Sequence, residues 1–193
     1  MSSSEFVGAR IALLSILFLS LMADPGLTGT SAPGEEGGGF LPLGGWEPSS
    51  SVEVSVSSET IDDWVLNVGD NVYSAAQTTV TVTATLESGD DAQLDVKETV
   101  SVSNAADGKM YSSTIDAIDG EDGILTYALV LRGITQGANL VTLSDSNQPF
   151  YTLTDTGSMA VDFDYEQKIG PLDNPASDYG IVVTFTGQIV SGS

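Results

Sequence analysis

The 193-residue chain carries 27 acidic against 5 basic side chains, a formal net charge of −22, and has neither cysteine nor histidine. Nucleic acid is excluded as a partner on the electrostatic term, because Arg10, Lys97, Lys109, Arg132 and Lys168 are too few to make a basic footprint. Disulfides, thiolate metal sites, imidazole ligands and the usual general base are excluded with it.

Residues 11–23, IALLSILFLSLMA, hold only two polar side chains, Ser15 and Ser20, and no charge. As a helix this run spans about 20 Å, short of the roughly 30 Å hydrocarbon core of a bilayer. Residues 1–23 are therefore predicted to be a secretory signal peptide or, if retained, a hydrophobic anchor and the chain's only means of holding a membrane. Asp24-Pro25-Gly26 ends the run. Residues 24–51 are predicted to be a Gly/Pro-rich linker arm, since Pro33-Gly34, the glycines at 37, 38, 39, 44 and 45, and Pro48 break helix and central strand alike. Within the arm, Phe40, Leu41, Leu43 and Trp46 form an apolar cluster that a plain tether does not need. Phe40 and Trp46 are candidate anchors, either on the domain that follows or on a neighbouring subunit.

From Val52 the hydrophobic period becomes two. Val52, Val54 and Val56 alternate with Glu53, Ser55 and Ser57, and Trp64, Leu66 and Val68 continue the pattern. Residues 78–86 are the clearest strand, with Val80, Val82, Ala84 and Leu86 on one face and four threonines on the other. Residues 92–103 return with Leu94, Val96, Val100 and Val102 in phase. Glu98 falls on that apolar face, which predicts a bulge near Lys97-Glu98 rather than a buried carboxylate. A short strand is expected over 110–114. The apolar run 124–131 reads as a strand covered on both faces. Short strands follow at 140–143 and 150–153, then one from Gly157 with Met159, Val161, Phe163 and Tyr165 inward. The last, 179–190, faces Ile181, Val183, Phe185 and Ile189 inward, with Gly187 marking a bulge or a close backbone approach. About nine or ten strands with regular turns and no convincing amphipathic helix make residues 52–193 an all-β domain, a two-sheet β-sandwich of Greek-key or jelly-roll type.

No enzyme is expected. Without His or Cys, and with no G-x-S-x-G, the chain lacks an activated nucleophile, and its many acidic pairs have no spacing that marks a catalytic couple. Calcium is the better chemical use of the acids, against the plainer reading of a solvated halophilic surface, which the loose spacing favours. Asp116, Asp119, Glu121 and Asp122 put hard oxygen ligands on a loop that Gly120 and Gly123 allow to turn, although the EF-hand spacing is missing. Asp162, Asp164 and Glu166 share one strand face and read as a solvated stripe. Charge of this density is best tolerated where salt shortens the Debye length to about 3 Å, near 1 M, which points to a halophile, the alternative being an ordinary acidic secreted protein with bound calcium; the leader points to the cell or virion exterior.

In plan alone, the leader, glycine-rich arm and β-sandwich resemble subunits of prokaryotic and archaeal surface filaments assembled by donor-strand exchange, and equally β-sandwich coat proteins of viruses of halophilic archaea. The resemblance implies a self-assembling homo-oligomer or polymer in which Val52, Val54 and Val56, behind the flexible arm, complete the sheet of the next subunit. The alternative from the residues is a monomeric, calcium-dependent surface binding or adhesion module.

Overall fold

The computed structural model describes residues 6–16, 49–56, 60–73, 79–99, 107–117 and 123–191, with the backbone alone at 6–16 and 60–63. In chain order the elements are β1 (Phe6–Ile16), β2 (Ser51–Val56), β3 (Thr60–Leu66), β4 (Gly69–Tyr73), β5 (Thr79–Thr85), β6 (Asp90–Glu98), β7 (Lys109–Tyr111), α1 (Ser113–Asp116), β8 (Ile124–Ala128), β9 (Val130–Gly133), β10 (Leu140–Thr142), β11 (Gln148–Leu153), β12 (Gly157–Ile169) and β13 (Tyr179–Ser191). They form two sheets. One runs β11-β6-β13-β1-β3, with β7 beside β13 and β8 beside β7. The other runs β10-β9-β12-β5-β2, with β4 beside β12. The ladders are antiparallel except that of β1 with β13, which is parallel from Ala9↔Tyr179 to Ile16↔Thr186. Part of the apolar stretch at 11–23 thus has an extended backbone, between β13 and β3.

The fold is an all-β sandwich, and its core follows from the period of two. Val80, Val82 and Ala84 on β5, Leu94 and Val96 on β6, Val161, Phe163 and Tyr165 on β12, and Ile181, Val183 and Phe185 on β13 are buried together. Aromatic rings tie the layers. Phe163 meets Phe150 edge-on at 5.5 Å between centroids and Phe185 at 5.4 Å, joining β12 of one sheet to β11 and β13 of the other. Each such pair adds about 0.5–1.5 kcal/mol to the area it buries.

The register corrects several expectations. The β6–β13 ladder passes through Thr184↔Lys97 and Val183↔Glu98 without a shift, so no bulge forms there. Glu98 is instead buried, at 3% exposure, and accepts a hydrogen bond from the Gly108 N–H at 2.5 Å. The expected strand at 110–114 stops at Tyr111, because the Ser112 side chain accepts from the Ile115 N–H and caps α1. The apolar run 124–131 is not one strand covered on both faces. It divides at Leu129, whose N–H donates to the Gly108 carbonyl and whose carbonyl accepts from Leu143. β8 pairs with β7 in the first sheet and β9 with β10 and β12 in the second, so the run turns a corner between sheets. Val68 lies beyond β3 and is exposed, and Met159 is 37% exposed although it pairs in register with the buried Val82. Val100 and Val102 lie outside the described residues.

Gly187 is a close approach and not a bulge. It pairs in register with Leu94, and a Cβ on it would lie 2.8 Å from Val54 Cγ2 and 2.9 Å from Val52 Cγ2. The two sheets touch backbone to side chain at this point.

Candidate functional site

Of the expected assembly residues, Phe40 and Trp46 lie outside the described residues. Val52 and Val54 are buried on β2, at 4% and 6% exposure, and Val56 is partly buried. β2 pairs with β5 from Ser51↔Thr85 to Val56↔Val80, so its valines fill the core of their own chain while Glu53 and Ser55 face outward. Among the described strands β5 is its only hydrogen-bonded neighbour, which makes β2 the edge of the second sheet.

Of the expected calcium ligands, Asp119, Glu121 and Asp122 lie outside the described residues, and Asp116 ends α1. The Asp116 carboxylate accepts from the Tyr111 hydroxyl at 2.8 Å, and this hydrogen bond, with burial and the charges of Asp116 and Asp178, raises the Tyr111 pKa. The loop that carries the other three acids is closed at its neck. Ser112 N–H donates to the Gly123 carbonyl at 2.8 Å, and Gly123 has φ +63°, with the space for a Cβ taken by the Ser112 carbonyl at 2.5 Å. Asp178 braces the same neck. It accepts from the Ser112 hydroxyl, from Ser113 Oγ at 3.0 Å, and from Thr114 N and Oγ1 at 3.0 and 2.9 Å. Burial works to raise the Asp178 carboxyl, but these hydrogen bonds outweigh it and hold the pKa below its ordinary value. Among the described residues no three acids converge as a metal site. The stripe on β12 is engaged laterally: Asp162 accepts from Thr79 Oγ1 at 2.7 Å, and Glu166 forms a bidentate pair with Arg132.

One surface was not singled out by the sequence. On the outer face of the second sheet, register places Thr142, Val130, Glu166 and Val72 in one row across β10, β9, β12 and β4, and Leu140, Arg132 and Asp164 in the next. Val72 is 57% exposed, Leu140 61% and Tyr127 40%. Lys168 lies over the Tyr127 ring, 4.9 Å from its centroid. Between β4, β8 and β9 the face sinks into a groove of about 490 Å³. At its base, Gln167 is buried and donates to the carbonyls of Tyr127 and Lys168 at 3.0 and 2.9 Å, while its Oε1 has no partner. The only sequence signal was the apolar pair Leu140-Val141, which leaves one large side chain outside whichever way the strand faces.

No family model matches the chain, and no curated protein matches it.

Proposed function

We propose that this is a non-enzymatic extracellular structural protein, a self-assembling subunit of a surface filament or coat of a halophilic archaeon or its virus, with a Greek-key or jelly-roll domain behind an exported leader and arm. The observation that carries the reading is the position of β2. Among the described strands, the one directly after the glycine-rich arm is an edge strand, paired on one side to β5, with a period-two valine face inside the sandwich. A strand so placed and so tethered is the one that a neighbouring copy can exchange, because backbone pairing at an open edge supplies affinity and the alternate side chains supply register. The −22 charge suits a salt-rich exterior, where screening permits like-charged copies to meet. Size-exclusion chromatography with light scattering in about 1 M salt is the test. Polymers are expected from the full chain, and deletion of residues 24–48, which spares β2, is expected to shorten them. A monomer at every concentration overturns the proposal.

The second reading, a calcium-dependent binding module, draws on the hydrogen bond from Ser112 N–H to the Gly123 carbonyl, which joins the two sides of the segment whose sequence carries Asp119, Glu121 and Asp122. Asp119→Asn with Glu121→Gln is then expected to lower the melting temperature in calcium but not in chelator, a shift of about 2.7 kcal/mol at hundredfold excess of ligand over Kd. Equal melting in both buffers removes it.

A further inference from the structure

We infer that the outer face of the second sheet around Val72, Arg132 and Leu140, together with Tyr127 of the adjoining β8, is a contact surface for the same face of a second copy of this chain. The inference rests on the proposed self-assembly and names a contact other than the strand edge at β2. Two copies of a −22 molecule repel over most approaches, so a stable contact needs a face where charge is locally cancelled and apolar area is exposed. This face comes nearest to both, with two cations set against three carboxylates. Two of the chain's five basic residues, Arg132 and Lys168, lie on this face, interleaved with Asp70, Asp164 and Glu166 through the pairings Arg132↔Asp164 and Lys168↔Asp70. The exposed Val72, Tyr127 and Leu140 stand among them.

A face that carries both signs side by side, as at Arg132 and Asp164, is complementary to itself about a two-fold axis that passes between them. Under a two-fold axis, Arg132 of one copy meets carboxylates of the other, and the reverse contact forms at once. A uniformly acidic partner surface would satisfy the two cations but leave Asp70, Asp164 and Glu166 opposed by like charge, whereas a second copy brings both signs. A two-fold contact alone closes a dimer; combined with strand exchange at β2 it extends into a polymer.

Sedimentation velocity in about 1 M salt tests this with Val72→Asp and Leu140→Asp, whose side chains are exposed enough to leave the fold intact, as circular dichroism checks. Each is expected to raise the concentration for half-assembly by at least about tenfold, since it sets an unpaired carboxylate into the contact. Arg132→Glu is expected to do the same, and Arg132→Glu with Glu166→Arg to recover assembly, because the exchanged pair restores self-complementarity. Val65→Asp, equally exposed but on β3 of the other sheet, is expected to assemble like the wild type. If the wild type assembles and the Val72 and Leu140 variants assemble equally well, the contact surface is wrong while self-assembly stands. Equal loss with Val65→Asp overturns the surface too, as non-specific association. A wild type that is monomeric throughout overturns self-assembly itself.

Discussion

Glu98 and Gly187 sit on two neighbouring strands of one sheet and constrain it in different ways. Burial pushes the Glu98 carboxyl above its ordinary 4.5; the Gly108 N–H pulls it part of the way back, and the charges of Asp107 and Asp145 push it up again. A carboxyl raised in the folded state contributes stability that is fully present below 4.5 and is lost as pH rises through the folded value. Glu98→Gln keeps an acceptor for Gly108 and cannot ionise. Thermal melts of wild type and variant are therefore expected to converge in acid and to separate in the variant's favour as pH rises above 4.5; a constant difference across that range refutes the assignment. Glu98→Ala instead strands the Gly108 N–H and should cost about 1–3 kcal/mol. At Gly187 the limit is steric. Gly187→Ala drives a methyl against Val52 and Val54 and is expected to destabilise by about 1–3 kcal/mol in chemical denaturation. Val52→Ala in the same chain makes room, so the double variant should lose less than the two singles together. Additive losses would mean that the sheets do not touch there.

The short helix α1 is held from outside itself, since four of the hydrogen bonds to Asp178 come from Ser112, Ser113 and Thr114. Asp178→Ala is expected to loosen residues 112–117 by about 1–2 kcal/mol, read as faster amide exchange there and not in β12. Because the Asp178 pKa is lowered, this support exists above the ordinary carboxylate value and fades as pH falls through the folded one, so wild type and variant should exchange alike in strong acid. Elements of this kind were poorly legible in the sequence. The strand at 79–85 was plain, because alternation of valine with threonine fixes both its conformation and its inward face. The corner at Leu129 was not, because a continuous apolar run reads the same whether a strand is covered twice or changes sheets midway. Helix α1 is one turn long, set by a cap and a distant aspartate rather than by periodicity. At β2 the inward face of Val52 and Val54 was legible, but which sheet it completes is a property of pairing and lies in no local pattern.

Across the whole molecule the excess of carboxylates governs how the sandwich responds to its solvent. Lowering the ionic strength from about 1 M to 0.01 M lengthens the Debye length from about 3 to about 30 Å, so repulsion spreads over the entire domain. The melting temperature is expected to fall on dialysis into low salt, and an unchanged melt and β circular dichroism would sink the halophilic reading. The order of strands has a different consequence. β12 lies between β9 on one flank and β5 and β4 on the other, and β13 lies between β6 and β1, so the centre of each sheet comes from the last part of the chain. On a ribosome that makes the amino end first, β2 to β11 therefore emerge with no central strand to join; the second sheet cannot close before Ile169 is made, nor the first before Ser191. Until Gly157 is made, therefore, neither sheet has its central strand. A message cut short before Gly157 should yield a fragment with coil-like circular dichroism, never a smaller domain.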